Sequence, residues 1–258
     1  METINFEERL KLYTGEFAKV VPLLPDDKLL QLDFTAGNTE LTREILDDTA
    51  KFSAYINRKL EGYTYGVGGY NEHRTIYKRS HVFDTSFLPP KEETESQQVD
   101  ADLADKPPLE STSEEPRRLH LGIDIWGPAE TPIYAPLEGT VHSFAFNDAY
   151  GDYGATLILQ HDINGFIFHT LYGHLSLASI QDKLEGQIIT KGEWIAAFGV
   201  PAENGQWPPH LHFQLIIDMQ GMKGDYPGVC KYSEREKYLE NCPNADLILE
   251  MMRNVAKS

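Results

Sequence analysis

The sequence predicts a mainly β, α+β chain, an antiparallel sheet or sandwich preceded by a small helical region. Three observations carry this. From Arg118 onward, short apolar runs such as ATLILQH, FIFHTLYGHL and HLHFQLIID alternate with turns such as NDAYGDYG, DING and ENGQWPP, which is the texture of many short strands joined by tight connections. Residues 1–61 instead carry apolar positions at helical spacing, Phe6, Leu10, Leu12 and Phe17 in one segment and Leu41, Ile45, Phe52, Ile56 and Leu60 in another. Between these regions lies PPKEETESQQVDADLADKPPLESTSEEP, bounded by prolines, strongly acidic and nearly free of large apolar groups.

Taken in order, Asn38 or Thr39 would cap the second helix and Gly62 would end it. GYTYGVGGYNEHRTIYKRSHVF, residues 62–83, is rich in Tyr, Thr, Val and Gly and reads as a glycine-interrupted strand or hairpin. The acidic stretch, placed at 89–117, cannot bury enough surface to offset its ordering entropy and reads as a mobile loop. It interrupts a domain expected over 62–258, whose tail from about residue 233 returns to helical spacing.

Composition narrows the partners. With 40 acidic against 23 basic residues, the formal net charge is −17, which opposes approach to nucleic acid or to an anionic membrane. No run of about 18 apolar residues occurs, so no transmembrane helix is expected. METINFEERLKLYTGEF lacks the basic end and apolar stretch of a secretory signal, and a cytoplasmic setting is the expectation. Cys230 and Cys242 form no C-x-x-C pair and are too few for a disulfide framework.

Chemistry concentrates in the histidines. In WPPHLHFQLII a strand would put His210 and His212 on one face and Leu211 and Phe213 on the other. An isolated H-x-H fits structural, hydrogen-bonded histidines as well as it fits a site. Upstream, RRLHLGIDIWGP sets His120 and Asp124 four residues apart. Gly122, the isoleucines and Gly127-Pro128 favour a strand there, and the two side chains would span about 13 Å of extended backbone. A twist or bulge must therefore bring them together. With a third ligand from His210 or His212 the set becomes two imidazoles and one carboxylate, a typical catalytic zinc shell with one position left for water. His174, in TLYGHLS, ends a strand where a side chain can meet a substrate.

H-x-x-x-D, Y-G-H-L-S and H-L-H-F, in this order and at these separations, resemble the lysostaphin and LytM type of zinc metallopeptidase. ETPIYAPLEGTV and EGQIITKGEWIAAFG resemble that family's supporting hairpins, so the likeness covers most of residues 118–217. It implies one Zn2+ per chain held by His120, Asp124 and His212, with His174 and His210 as the catalytic pair. It also implies hydrolysis of a peptide amide bond in a peptide or muropeptide of peptidoglycan type. The alternative within the same resemblance is a non-catalytic module that binds wall fragments or activates a partner enzyme. Such modules typically lack some of the ligands, whereas all five positions are filled here.

The loop VPAENGQWPP is larger and stiffer than the small glycine- and serine-rich loop of the secreted enzymes, and it should wall the substrate cleft with Trp207. In GGYNEH, Asn71 or a neighbour is a candidate for folding over the metal, though a strand that completes the sheet explains that composition equally well. His73, His81, His142, His161 and His169 fit no ligand spacing and read as structural, with His161 a candidate hydrogen-bond partner near the site.

Overall fold

The computed structural model describes residues 6–87 and 114–256, so most of the acidic stretch expected at 89–117 lies outside the described residues. Strands dominate, as the sequence predicts. The N-terminal region contributes helix α1 (Phe6–Lys11), strand β1 (Leu29–Leu32), helices α2 (Arg43–Asp47) and α3 (Thr49–Lys59), and strand β2 (Tyr65–Gly68). The main β region follows with β3 (Leu119–His120), β4 (Ile123–Trp126), β5 (Pro132–Tyr134), β6 (Gly139–Asn147), β7 (Gly154–Ile163) and β8 (Phe166–Leu175). Next come β9 (Ile188–Ile189), β10 (Trp194–Ala197), β11 (His210–Ile216), β12 (Val229–Cys230) and β13 (Val255–Ala256).

Nine strands make one sheet in the order β13-β1-β2-β4-β11-β8-β7-β6-β9, with β5–β10 and β3–β12 as two small antiparallel pairs beside it. The run from β2 to β9 is antiparallel, but β1 pairs in parallel with both β2 and β13. The sheet edge thus departs from the purely antiparallel expectation. It recruits LLQL, a strand inside the segment read as helical, because Leu29, Leu30 and Leu32 are buried on both sides of that short run.

The helix expected over residues 41–60 is two helices. Asp48 interrupts it in extended conformation and caps α3, accepting from the backbone N–H groups of Ala50 and Lys51, while Thr42 caps α2. A short polar side chain that satisfies free N–H groups ends one helix and starts the next. The break lets α3 press Phe52 against Trp126 and Trp207, with ring centroids 5.9 and 6.3 Å apart. Phe34 joins the same cluster 5.2 Å from Trp126. The N-terminal region therefore packs on the same face of β4 that carries Asp124 and Trp126.

The main core lies on the opposite face of the central strands. Leu211, Phe213 and Leu215 of β11 enter it with Ile123 and Ile125 of β4 and Leu157 and Leu159 of β7. The alternate residues His210, His212 and Gln214 are consequently gathered on the face turned toward the N-terminal region.

Candidate active site

Strand register assembles the site. Gly68, Asp124, His212 and Gly173 stand directly opposite one another across β2, β4, β11 and β8, and residues paired in this way share a face. The two glycines are there for space. A Cβ on Gly68 would press on the Arg74 guanidinium, and one on Gly173 would overlap the Tyr153 ring. Arg74 and Tyr153 occupy those vacated positions on either side of the Asp124–His212 pair.

His120 arrives differently. The segment read as one strand is two, β3 and β4, broken at Leu121-Gly122. Gly122 packs so closely under the His212 ring that a Cβ there would come within 2.7 Å of it. The break replaces the long extended span and brings His120 onto the pair.

His120 Nε2 lies 2.9 Å from His212 Nδ1, and Asp124 Oδ1 lies 3.0 Å from His212 Nδ1 and 3.2 Å from His120 Nε2. The other nitrogen of each ring is already committed. His120 Nδ1 donates to the Gly69 carbonyl at 2.9 Å, and His212 Nε2 donates to Gln214 Oε1 at 2.9 Å. With those protons fixed, His120 Nε2, His212 Nδ1 and Asp124 Oδ1 are three lone-pair donors facing one another in a buried place. Left alone they repel. A metal cation removes the repulsion, and the spacing is close to the edge of roughly 3.3 Å expected for a tetrahedral site with bonds of about 2.0–2.1 Å. The donor set therefore fits a metal ion, and it is the set that the sequence resemblance implied.

Electrostatics prepare the same state. Burial, reinforced by Arg74, lowers the His120 pKa to about 3 and keeps the ring neutral, as a ligand must be. Burial opposes the charge on Asp124, but the buried Arg74 guanidinium that faces it is a permanent counter-charge, and the carboxyl stays well below its usual range. Arg74 is fully buried. It donates to Asp124 Oδ2 through Nη1, to Glu72 Oε2 at 2.7 Å and to the Gly69 carbonyl at 3.0 Å. Removing it would leave a buried carboxylate without its permanent counter-charge. Arg74→Met is expected to destabilise the metal-free chain by about 3–5 kcal/mol, measured by urea unfolding in the presence of chelator.

His174 and His210 lie beside this cluster with ring centroids 4.1 Å apart. Each donates from Nδ1 to a backbone carbonyl at 2.8 Å, His174 to Asn204 and His210 to Pro208. Each Nε2 is therefore the basic nitrogen. Burial lowers the His210 pKa to about 4 and takes His174 well below the usual range, so both rings are neutral. His210 stacks on Trp126 at 3.8 Å and 6°. His174 holds φ +63° at the end of β8, a left-handed conformation uncommon for a residue with a side chain.

All five residues singled out in the sequence are thus in one place, although His120 lies beneath rather than on the pocket. That pocket is bordered by Asp124, His174, His210 and His212, and Ile76, Phe83 and Trp207 form its apolar wall. The VPAENGQWPP loop supplies Trp207 as expected, and the Asn204 side chain fixes the loop through Gly199 and Trp207. Asn71 does not fold over the ligands: its Oδ1 accepts from Arg235 at 2.9 Å, while its neighbour Gly69 orients His120. His161 is a structural residue, bonded to the Glu138 carbonyl and the Thr170 hydroxyl.

Sequence reasoning missed Arg74, Tyr153 and Gln214. Gln214 was within reach, because it stands two residues after His212 and must share its face. Arg74 lies 50 residues from Asp124, and nothing local in the sequence joins them.

Residues 118–223 match the family model of Peptidase family M23, on the segment that resembles the lysostaphin and LytM type. An uncharacterized metalloprotease of Haemophilus influenzae is 30% identical over 140 residues, 52% of this chain and 27% of that protein. The DD-carboxypeptidase/endopeptidase Mpg of Neisseria meningitidis serogroup B is 35% identical over 103 residues, 40% of this chain and 21% of that protein. The chain thus spans about a quarter or less of the length of these curated relatives. Among solved structures, a zinc-containing peptidase from Vibrio cholerae is 28% identical over 38% of this chain and 27% of that one, with a TM-score of 0.30.

Proposed function

We propose that this chain, whose residues 118–223 match the model of Peptidase family M23, is a zinc-dependent metallopeptidase that hydrolyses an amide bond in a peptide of peptidoglycan type. One observation carries the reading. The lone pairs of His120, Asp124 and His212 converge while their remaining polar atoms are tied to Gly69, Arg74 and Gln214. Outer partners of this kind fix the tautomers of metal-bound histidines. Two imidazoles and a carboxylate are the donor set of catalytic zinc sites, which keep a coordination position open. The names of the Haemophilus and Neisseria relatives support a peptidase, and the second of them, a DD-carboxypeptidase/endopeptidase, supports a peptide with a DD bond as substrate.

When bound, zinc would polarise the scissile carbonyl and bring the pKa of water down toward about 7. The remaining chemistry belongs to the chain. A neutral imidazole with its Nδ1 proton held by a backbone carbonyl offers Nε2 as a base, so His174 or His210 takes the proton of the attacking water. The protonated ring then donates from Nε2, either to the developing oxyanion or to the leaving amine. The complete ligand set weighs against a purely binding module.

The test is elemental analysis of the purified full chain, followed by incubation of the zinc-loaded protein with muropeptides and synthetic cross-bridge peptides. About one zinc per chain and release of a new amine terminus support the reading. A folded chain that takes up no zinc when it is supplied would overturn it.

A further inference from the structure

The pocket that holds the proposed catalytic groups is also bordered by charged residues that belong neither to the ligand set nor to the catalytic pair. These are Asp152, Asp225 and Arg117. Asp225 is only 7% exposed, and its Oδ1 is buried without a hydrogen-bond partner among the described residues. A buried carboxylate oxygen with nothing to bind is costly unless something else supplies the partner. Asp152 is half-buried, and among the described residues its Oδ1 accepts only from the neighbouring Tyr153 N–H, at 2.8 Å.

Arg117 does not close the balance. Its guanidinium donates to three backbone carbonyls, those of Thr85 at 3.0 Å, Val229 at 3.4 Å and Val82. Among the described residues no hydrogen bond or ion pair joins it to either aspartate. Two carboxyl groups therefore face one guanidinium that is already engaged elsewhere. The mutual influence is visible in Asp225, whose pKa is pushed up to about 7 by burial and then by the Asp152 charge. This group of residues carries a deficit of positive charge and a shortage of N–H donors at the same time.

We propose that Asp225 and Asp152 form a substrate subsite that takes a primary ammonium group of the peptide, carried on an amine-bearing side chain or at a free amino terminus. An ammonium supplies what the site lacks, a positive charge and three donors on a compact head. A carboxylate-bearing group is disfavoured there, because it would meet the two aspartates before an engaged Arg117. Tyr153 links the subsite to the ligands. It follows Asp152 in sequence, and its hydroxyl lies 3.3 Å from His212 Nε2. Gly228 borders the same pocket, and a Cβ there would overlap the Tyr153 hydroxyl and reach 3.2 Å from His212 Nε2. A substrate anchored by its amine at Asp225 therefore lies along the pocket that contains His174 and His210. The net charge of −17 on the whole chain favours approach of such a cationic peptide.

The inference rests on the peptidase reading for its meaning, but it can be tested separately by binding. The zinc-loaded full chain would be titrated calorimetrically with three lysine derivatives. Nα-acetyl-lysine methylamide carries only the side-chain ammonium, Nε-acetyl-lysine methylamide only the α-ammonium, and the doubly acetylated compound neither. One singly acetylated probe should bind at least about tenfold more tightly than the doubly acetylated one, as for a charge-assisted contact, and which one does so identifies the source of the amine. Asp225→Asn and Asp152→Asn, each checked for zinc content and melting temperature, should abolish or reduce that preference. Equal or undetectable binding of all three probes, or a preference unchanged in folded Asp225→Asn, overturns the subsite. Peptide hydrolysis without any preference for amines would leave the peptidase reading standing alone. Selective amine binding with no peptide cleaved would sustain the subsite and count against the peptidase.

Discussion

His212→Ala is expected to yield a folded chain that no longer retains metal and no longer hydrolyses peptide. His212 is the hub of the ligand set, with Nδ1 2.9 Å from His120 Nε2 and 3.0 Å from Asp124 Oδ1. Without it two donors remain, and among the described residues no other group of three His, Cys, Asp or Glu side chains converges to replace it. The loss should exceed the roughly 10–100-fold in affinity that follows removal of an outer partner. Gln214→Leu provides that comparison. It keeps every ligand but deletes the acceptor that fixes the His212 tautomer, so metal binding should weaken within that range and not vanish. Elemental analysis beside chelator competition separates the two outcomes. Stoichiometric zinc of unchanged affinity in His212→Ala would mean that the metal lies elsewhere. The deletion itself is tolerable to the fold, because His212 projects from β11 away from Leu211 and Phe213, which hold the strand in the core.

Much of this arrangement was legible in the sequence, for a specific reason. Alternation along HLHFQLI divides core from site without any tertiary information, so the shared face of His210 and His212 follows from one strand assignment. His120 and Asp124 were legible as a pair but not as a geometry. The break at Leu121-Gly122 depends on Gly122 lying against the His212 ring, a contact 90 residues away in sequence. Arg74 was invisible for a similar reason, since a buried arginine is recognisable only once its carboxylate partner is known. The strand at Leu29–Leu32 was hidden by its length, because four residues carry too little periodicity to compete with the helical spacing around them. Asp48 broke the predicted helix by a local rule, capping, that competes with apolar periodicity and won at that position. Asp225 carried no motif at all. Its significance is an oxygen left unpaired among the described residues, which is a property of its surroundings and not of the residues beside it in the chain.

His174→Ala and His210→Ala should each keep the metal and lose turnover, with kcat lowered about 10²–10⁴-fold, the usual contribution of a positioned acid or base, and KM little changed. Neither ring is needed to complete the ligand set. Each is instead held by a backbone carbonyl on Nδ1 and left with a basic Nε2. The fold commits strain and packing to that arrangement: His174 sits at φ +63°, and His210 is stacked on Trp126, which Phe34 and Phe52 support from behind. Two rings 4.1 Å apart cannot both carry a proton comfortably. The ring that accepts the proton of water therefore leaves its neighbour neutral, and the two should act at different stages of the reaction. If they do, the double variant loses clearly more than either single one. If they act as one unit, it loses no more than the worse of the two, because effects within a catalytic unit are not additive. Metal content and circular dichroism must match the wild type in all three proteins for the kinetics to be read in this way. A His174→Ala chain that hydrolyses normally, beside a His120→Ala chain that has lost its metal, would remove His174 from the chemistry and leave His210 as the proton carrier.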